Sequence, residues 1–176
     1  MNNNFSTQLA IPKLRYHFLD KMYQILFWIA YRLKLLYNIF VCPDAHGVYI
    51  AVWASGKILI IKNSYKSCFT VPCGGINKNE IAEQSAIREL YEEVKIKVSL
   101  TDLIYVGSYL SDYEFMVDHI HLYEVNLLDI PNFQTDNREV VWAGFEDPKI
   151  IIKKDLFPVV RYYLNKKIEN KLNEIK

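Results

Sequence analysis

Three glutamates, Glu89, Glu92 and Glu93, stand at positions i, i+3 and i+4 of a helical stretch, Glu80–Val94. That spacing puts three carboxylates on one face of one helix, where like charges destabilise it in isolation. A cation that offsets the repulsion is the usual explanation, and clustered carboxylate oxygens suit hard ions, Mg²⁺ or Mn²⁺, rather than zinc. Ala86, Leu90 and Val94 form a neighbouring apolar stripe that can anchor the helix to a sheet. One face then packs while another faces a cleft. Arg88, beside Glu89, can pair with a nearby carboxylate and hold it in place. Pro72-Cys73-Gly74-Gly75 precedes the helix, and the glycine pair permits a tight turn and close backbone approach. Taken alone, the three glutamates read first as a solvated acidic face.

The apolar patterning around this helix sets the fold class. His46–Ala54 and Lys57–Tyr65 are β-rich stretches around Ser55-Gly56, a hairpin signal. Cys68–Val71 is a short strand candidate that ends at Pro72. Ile96–Leu110 and Tyr113–Leu128 read as two long strands around Ser111-Asp112, and Glu139–Ala143 as another. Asp155–Lys176 is a closing helix, with Pro158 tolerable in its first turn. This order predicts an α+β chain with α/β/α layering. Its 176 residues suit one domain with an extra element.

That extra element lies at the N-terminal end. No Gly or Pro falls between Lys13 and Val41, and Phe18, Met22, Ile25, Ile29 and Leu33 recur at helical spacing. The longest charge-free run, Met22 to Tyr31, is far short of the about 20 apolar residues a bilayer span needs. Two readings of residues 13–41 stay open. One is packing on the domain or on a homodimer partner. The other is a peripheral helix at the inner face of a membrane, with Lys and Arg on anionic headgroups and Trp28 in the interface. The expected organisation is a polar leader and amphipathic helix over 1–44, then a domain with a C-terminal helix over 45–176.

A formal charge of +1 excludes a strongly basic nucleic-acid binder, so no double-stranded nucleic acid is expected as a partner. The sum hides an acidic middle: residues 45–152 carry nine basic and fifteen acidic side chains. Cys42, Cys68 and Cys73 form no CxxC, and three thiols cannot all pair, which fits a reducing cytoplasm. Met1–Gln8 is polar, so a signal peptide is not expected.

The wider pattern runs Gly74, five residues, Glu80, seven residues, then Arg88-Glu89-Leu90-Tyr91-Glu92-Glu93-Val94-Lys95-Ile96. It resembles the Nudix box, GX5EX7REUXEEXGU, where U is a bulky aliphatic residue. Six fixed polar and glycine matches arise by chance in about one in 10⁵ such chains. The resemblance covers roughly residues 46–147. One position departs: Lys95 stands where the box has glycine. That glycine resembles a helix C-cap in left-handed geometry, where another residue costs about 1 kcal/mol.

The resemblance implies a Nudix-type α/β/α sandwich with a mixed sheet, plus the N-terminal helix. It implies hydrolysis of a pyrophosphate bond in a nucleoside diphosphate linked to another moiety. Mg²⁺ or Mn²⁺ is then held by Glu89, Glu92 and Glu93, with Glu80 as a weaker ligand candidate and the Gly74 carbonyl completing the shell. Arg88 orients the carboxylates. The general base is a box glutamate or a downstream carboxylate; Glu139 ranks first and Asp118 second, ahead of Asp112 and Glu114. Strand alternation separates Asp118 from His119 and His121, so the HxH is not automatically a metal pair. Tyr109, Tyr113 and Phe115 are candidates for stacking a base. The competing reading is a Nudix-fold nucleotide-binding or regulatory module without turnover.

Overall fold

A computed structural model describes residues 18–174, with side chains described to residue 170. The first helix, α1, spans Phe18–Val41. Strands β1 (Asp44–Ala54) and β2 (Lys57–Asn63) follow as an antiparallel hairpin. Ser55 and Gly56 at its tip both have positive φ, 49° and 75°, the geometry that matches strand twist in a two-residue turn. Then come β3 (Cys73–Gly75), α2 (Ala82–Val94), β4 (Ile104–Ser111), β5 (Val117–Leu127) and β6 (Val140–Glu146). A short α3 (Pro148–Ile151) and a closing α4 (Pro158–Glu174) complete the chain.

The sheet runs β4-β5-β1-β2-β6, with β3 paired to β1. It is mixed, because β1 and β5 are parallel while the other pairs are antiparallel. Alternation along β1 sends Val48, Ile50 and Val52 to one side and Tyr49, Ala51 and Trp53 to the other. The first set packs with Ala86, Leu90 and Val94 of α2, the stripe visible in the sequence. The second packs with Val160, Tyr163 and Leu164 of α4. The expected α/β/α sandwich is therefore present.

Element limits differ from expectation at specific residues. Cys68–Val71 forms no strand; Thr70 bridges singly to Ile61 and Phe69 to Leu156. The long stretch from Ile96 is interrupted by a 3₁₀ turn at Leu100–Asp102, where Asp102 Oδ2 accepts from the Ser99 N–H at 2.7 Å. The stretch from Tyr113 opens with another short turn, because Glu114 and Phe115 take φ of 64° and 57°. The last helix starts at Pro158, whose fixed φ suits a first turn.

The inward side of α1 docks on the domain. Gln24 Nε2 donates to the Asn137 carbonyl, Asp20 accepts from Arg138 at 2.9 Å, and Phe27 and Tyr31 pack on Tyr65. Packing on the domain is thus seen. Its outward side leaves Phe18, Met22, Ile25, Ile29, Leu33, Leu36 and Phe40 exposed. No described helix is long and apolar enough to cross a membrane.

Candidate active site

The site is built where α2, β3 and the ends of β1, β2 and β5 meet. Gly74 pairs with Val48, which brings β3 beneath α2. A Cβ at Gly74 would lie 2.0 Å from the Glu89 carboxyl carbon, so any other residue there displaces the Glu89 carboxylate. Glu93, one turn on, is buried and accepts the Cys73 backbone N–H at 3.0 Å. Burial pushes the carboxyls of both Glu93 and Glu89 above their ordinary range, and Arg88 opposes that at Glu89. Glu92 stays largely in water.

Arg88 organises this acidic face. Its guanidinium donates to Glu80 at 2.9 Å through both Nε and Nη2, to Glu89 at 2.5 Å and to Glu92 at 3.3 Å. It also reaches the Gly75 carbonyl at 2.9 Å, which ties the helix to β3. Hydrogen bonding to Arg88 holds the Glu80 carboxyl low, at about 2. With the guanidinium gathering these oxygens, no group of three His, Cys, Asp or Glu side chains among the described residues is set to hold a metal ion. The donor chemistry still fits a hard divalent ion. All candidates offer oxygen, as a hard divalent ion requires.

A cavity of about 620 Å³ opens beside these carboxylates. Gly74, Glu89, Glu92, Asp118, Glu139 and Tyr113 line it, so most of the predicted site residues share one concavity. Glu139 Oε1 accepts from the Tyr65 hydroxyl at 2.8 Å, which fixes its carboxylate ahead of β6. Asp118 lies on the opposite face of β5 from His119, and its carboxyl is raised by burial. Two candidates lie elsewhere: Tyr109 packs edge-on against Tyr162 of α4, and Phe115 is exposed. His119 stacks on His46 and meets Asp44 at 3.4 Å, while His121 sits by Tyr105.

α1 also lines this cavity, through Lys34, Tyr37 and Asn38, which no local sequence pattern marks. The Lys66 side chain is only 14% exposed and bonds Glu114 at 2.9 Å. Neither residue type nor local spacing marks such a pair, because its members lie 48 positions apart.

A model of the NUDIX domain matches residues 44–163, well over half of the chain. The chain belongs to the NUDIX domain family. Its Nudix box is the Gly74–Ile96 segment that shapes the acidic face. Among curated proteins, the RNA pyrophosphohydrolase of Haemophilus influenzae (strain PittEE) is 41% identical over 54 residues, 31% of this chain. That match spans only 28% of the relative's own length. Among solved structures, the MutT protein from Methanosarcina mazei superposes with a TM-score of 0.61 at 16% identity. The match covers 74% of this chain and 98% of that one. The Ap4A hydrolase of C. elegans, solved as a binary complex, gives 0.61 at 18% identity, covering 73% and 98%. These superpositions establish a shared fold. α1 ends before the NUDIX domain begins.

Proposed function

We propose that this NUDIX protein hydrolyses a pyrophosphate bond in a nucleoside diphosphate linked to another moiety, using Mg²⁺ or Mn²⁺. The observation that supports this reading is the convergence of Glu89, Glu92 and Glu139 on one cavity, with Glu93 buried against the Cys73 N–H and the carboxyls of Glu89 and Glu93 raised by burial. Crowded, partly desolvated carboxylates are costly without a cation. Glu89, Glu92 and Glu93 are the proposed ligands, with the Gly74 carbonyl and Glu80 as supplementary oxygens. A divalent ion there neutralises the diphosphate and lowers the pKa of a bound water.

The chain's own residues do the rest. Arg88 offsets the repulsion among the carboxylates and orients them. Tyr65 holds Glu139 so that one oxygen remains to accept a proton from the attacking water. Asp118, on β5, is the second candidate for that role. Tyr113, edge-on to Phe157 at 4.8 Å, offers a ring for a nucleobase. The test is a panel of nucleoside triphosphates, nucleotide sugars, ADP-ribose, dinucleoside polyphosphates and 5′-triphosphate RNA, each with Mg²⁺ or Mn²⁺. Release of a nucleoside monophosphate or phosphate from at least one is expected. Binding without turnover across the panel would favour a regulatory module.

A second proposal concerns the outward face of α1, which we assign to an anionic membrane surface. Phe18, Met22, Ile25, Ile29, Leu33, Leu36 and Phe40 form one exposed stripe along the helix, widened by Leu19, Leu26 and Tyr37. Asp20, the acidic residue of α1, turns inward to Arg138, whereas Lys21 and Arg32 flank the stripe beside Trp28. Apolar area with cations and Trp at its border suits a headgroup boundary. Flotation with phosphatidylserine vesicles, lost in Ile29→Asp, is the expected result. A concentration-dependent dimer without flotation would assign the face to a second copy.

A further inference from the structure

Part of the cavity wall is cationic and is held by a device the hydrolytic reading does not use. Glu114 joins three separate parts of the chain. Its Oε1 accepts from Tyr31 of α1 at 3.0 Å and from Lys66 at 2.9 Å; its Oε2 meets Lys34 of α1 at 3.4 Å. Its backbone carbonyl accepts the buried Asn38 amide at 2.9 Å. Lys34, Asn38, Lys66 and Glu114 all line the cavity that holds the Nudix carboxylates.

The backbone is strained to make this possible. Glu114 and Phe115 are consecutive non-glycine residues in left-handed geometry. Such strain persists only where the surroundings over-determine it, and it concentrates at functional sites. Lys66 is additionally fixed between rings, 5.1 Å from the Phe157 centroid and 5.9 Å from that of Tyr31. Two ammoniums thus share one carboxylate, inside a cavity large enough for a ligand. A mostly buried ammonium needs an anion; Glu114 supplies one, and the cavity beside the two ammoniums admits a phosphate as a second.

We infer that Lys66 and Lys34 form a phosphate-binding pair, that Glu114 is the residue that positions them, and that the substrate carries a phosphate beyond the anhydride that is cleaved. The assignment of that phosphate to a nucleotide rests on the hydrolase proposal; the binding pair does not. α1 contributes Lys34 directly, and Tyr31 and Asn38 hold Glu114. The helix outside the NUDIX domain is therefore part of the substrate site.

Two measurements on the full chain separate the two claims. The first is calorimetric titration with inorganic tripolyphosphate in EDTA, so that no metal contributes. Lys66→Met and Lys34→Met should each weaken binding about tenfold or more, as loss of a charge-assisted contact does. Glu114→Gln should tighten it, since a competing anion is neutralised, and Lys66→Arg should retain it. Absent wild-type binding, or unchanged affinity in both methionine variants with native circular dichroism, overturns the pair. The second is steady-state kinetics. Lys66→Met should raise KM for a nucleoside triphosphate about tenfold while leaving kcat and the KM for a nucleotide sugar unmoved. An equal rise for both substrates overturns the substrate class. Absence of any turnover defeats the hydrolase proposal alone, because the titration still decides the lysine pair.

Discussion

At the scale of single residues, the site is a balance between buried carboxylates and one guanidinium. Glu93 and Glu89 have carboxyls raised above the ordinary 4.5 by burial. A carboxyl raised on folding contributes stability below its ordinary pKa and loses it as pH rises through the folded-state value. Metal-free protein should therefore weaken as pH rises above about 4.5 through these groups. Glu93→Gln, which keeps an acceptor for the Cys73 N–H, should flatten this fall in the melting temperature of the metal-free protein with rising pH. A fall as steep as that of wild type would contradict a raised Glu93 carboxyl. Glu80 has the opposite sign. Hydrogen bonding to Arg88 lowers it to about 2, so its contribution is present above 4.5 and is lost as pH falls toward 2. Denaturation of Glu80→Gln against wild type should show a deficit at pH 7 that closes near pH 2. Gly74→Ala tests close approach, since the added methyl meets the Glu89 carboxylate. Titration calorimetry with Mn²⁺ should show affinity reduced by about tenfold or more, as for losses of ligand orientation.

At the scale of elements, α2 was the most legible part of the chain because its information is local. Helical spacing alone places Glu89, Glu92 and Glu93 together, and the apolar stripe on its other face names the sheet side. Its exit also follows from sequence. Lys95 caps the helix at φ 61°, the left-handed conformation that the box fills with glycine. Lys95→Gly should stabilise the fold by up to about 1 kcal/mol, by denaturant titration, without changing activity. The gain is reduced by the lost contact of the Lys95 ammonium with the Glu92 carbonyl. The connection between β4 and β5 was not legible, since Glu114 and Phe115 carry no compositional sign that φ is positive there. Nor was the anchoring of α4. Buried Glu124 on β5 accepts from the Tyr163 hydroxyl at 2.8 Å and from Lys167 at 2.7 and 2.8 Å. Those partners lie 39 and 43 positions away, beyond any local pattern.

At the scale of the whole molecule, the uneven charge has a spatial counterpart. The acidic middle of the chain supplies the carboxylate wall of the cavity, and the basic N-terminal helix supplies Lys34 to the same cavity. α1 thus has two faces with different work: polar groups inward toward Glu114, Asn137 and Arg138, and an apolar stripe outward. Its helical period was visible in the sequence, but which side would dock was not. Gln24, Tyr31 and Asn38 are scattered among apolar residues, and their partners are far along the chain. The Nudix box located one wall of the site; only the folded chain brought the second wall to it.

The central claim is water attack on phosphorus at the α2 carboxylates. The most direct measurement is hydrolysis of the best panel nucleotide in ¹⁸O-labelled water, with products read by mass spectrometry. Wild type with Mg²⁺ should place one ¹⁸O in a phosphoryl product, and EDTA should stop it. Glu92→Gln, a substitution at a largely exposed side chain that leaves the fold intact, should lose about 10²-fold or more in rate. Absence of labelled product from every nucleotide, or equal labelling by wild type and Glu92→Gln, would contradict the account.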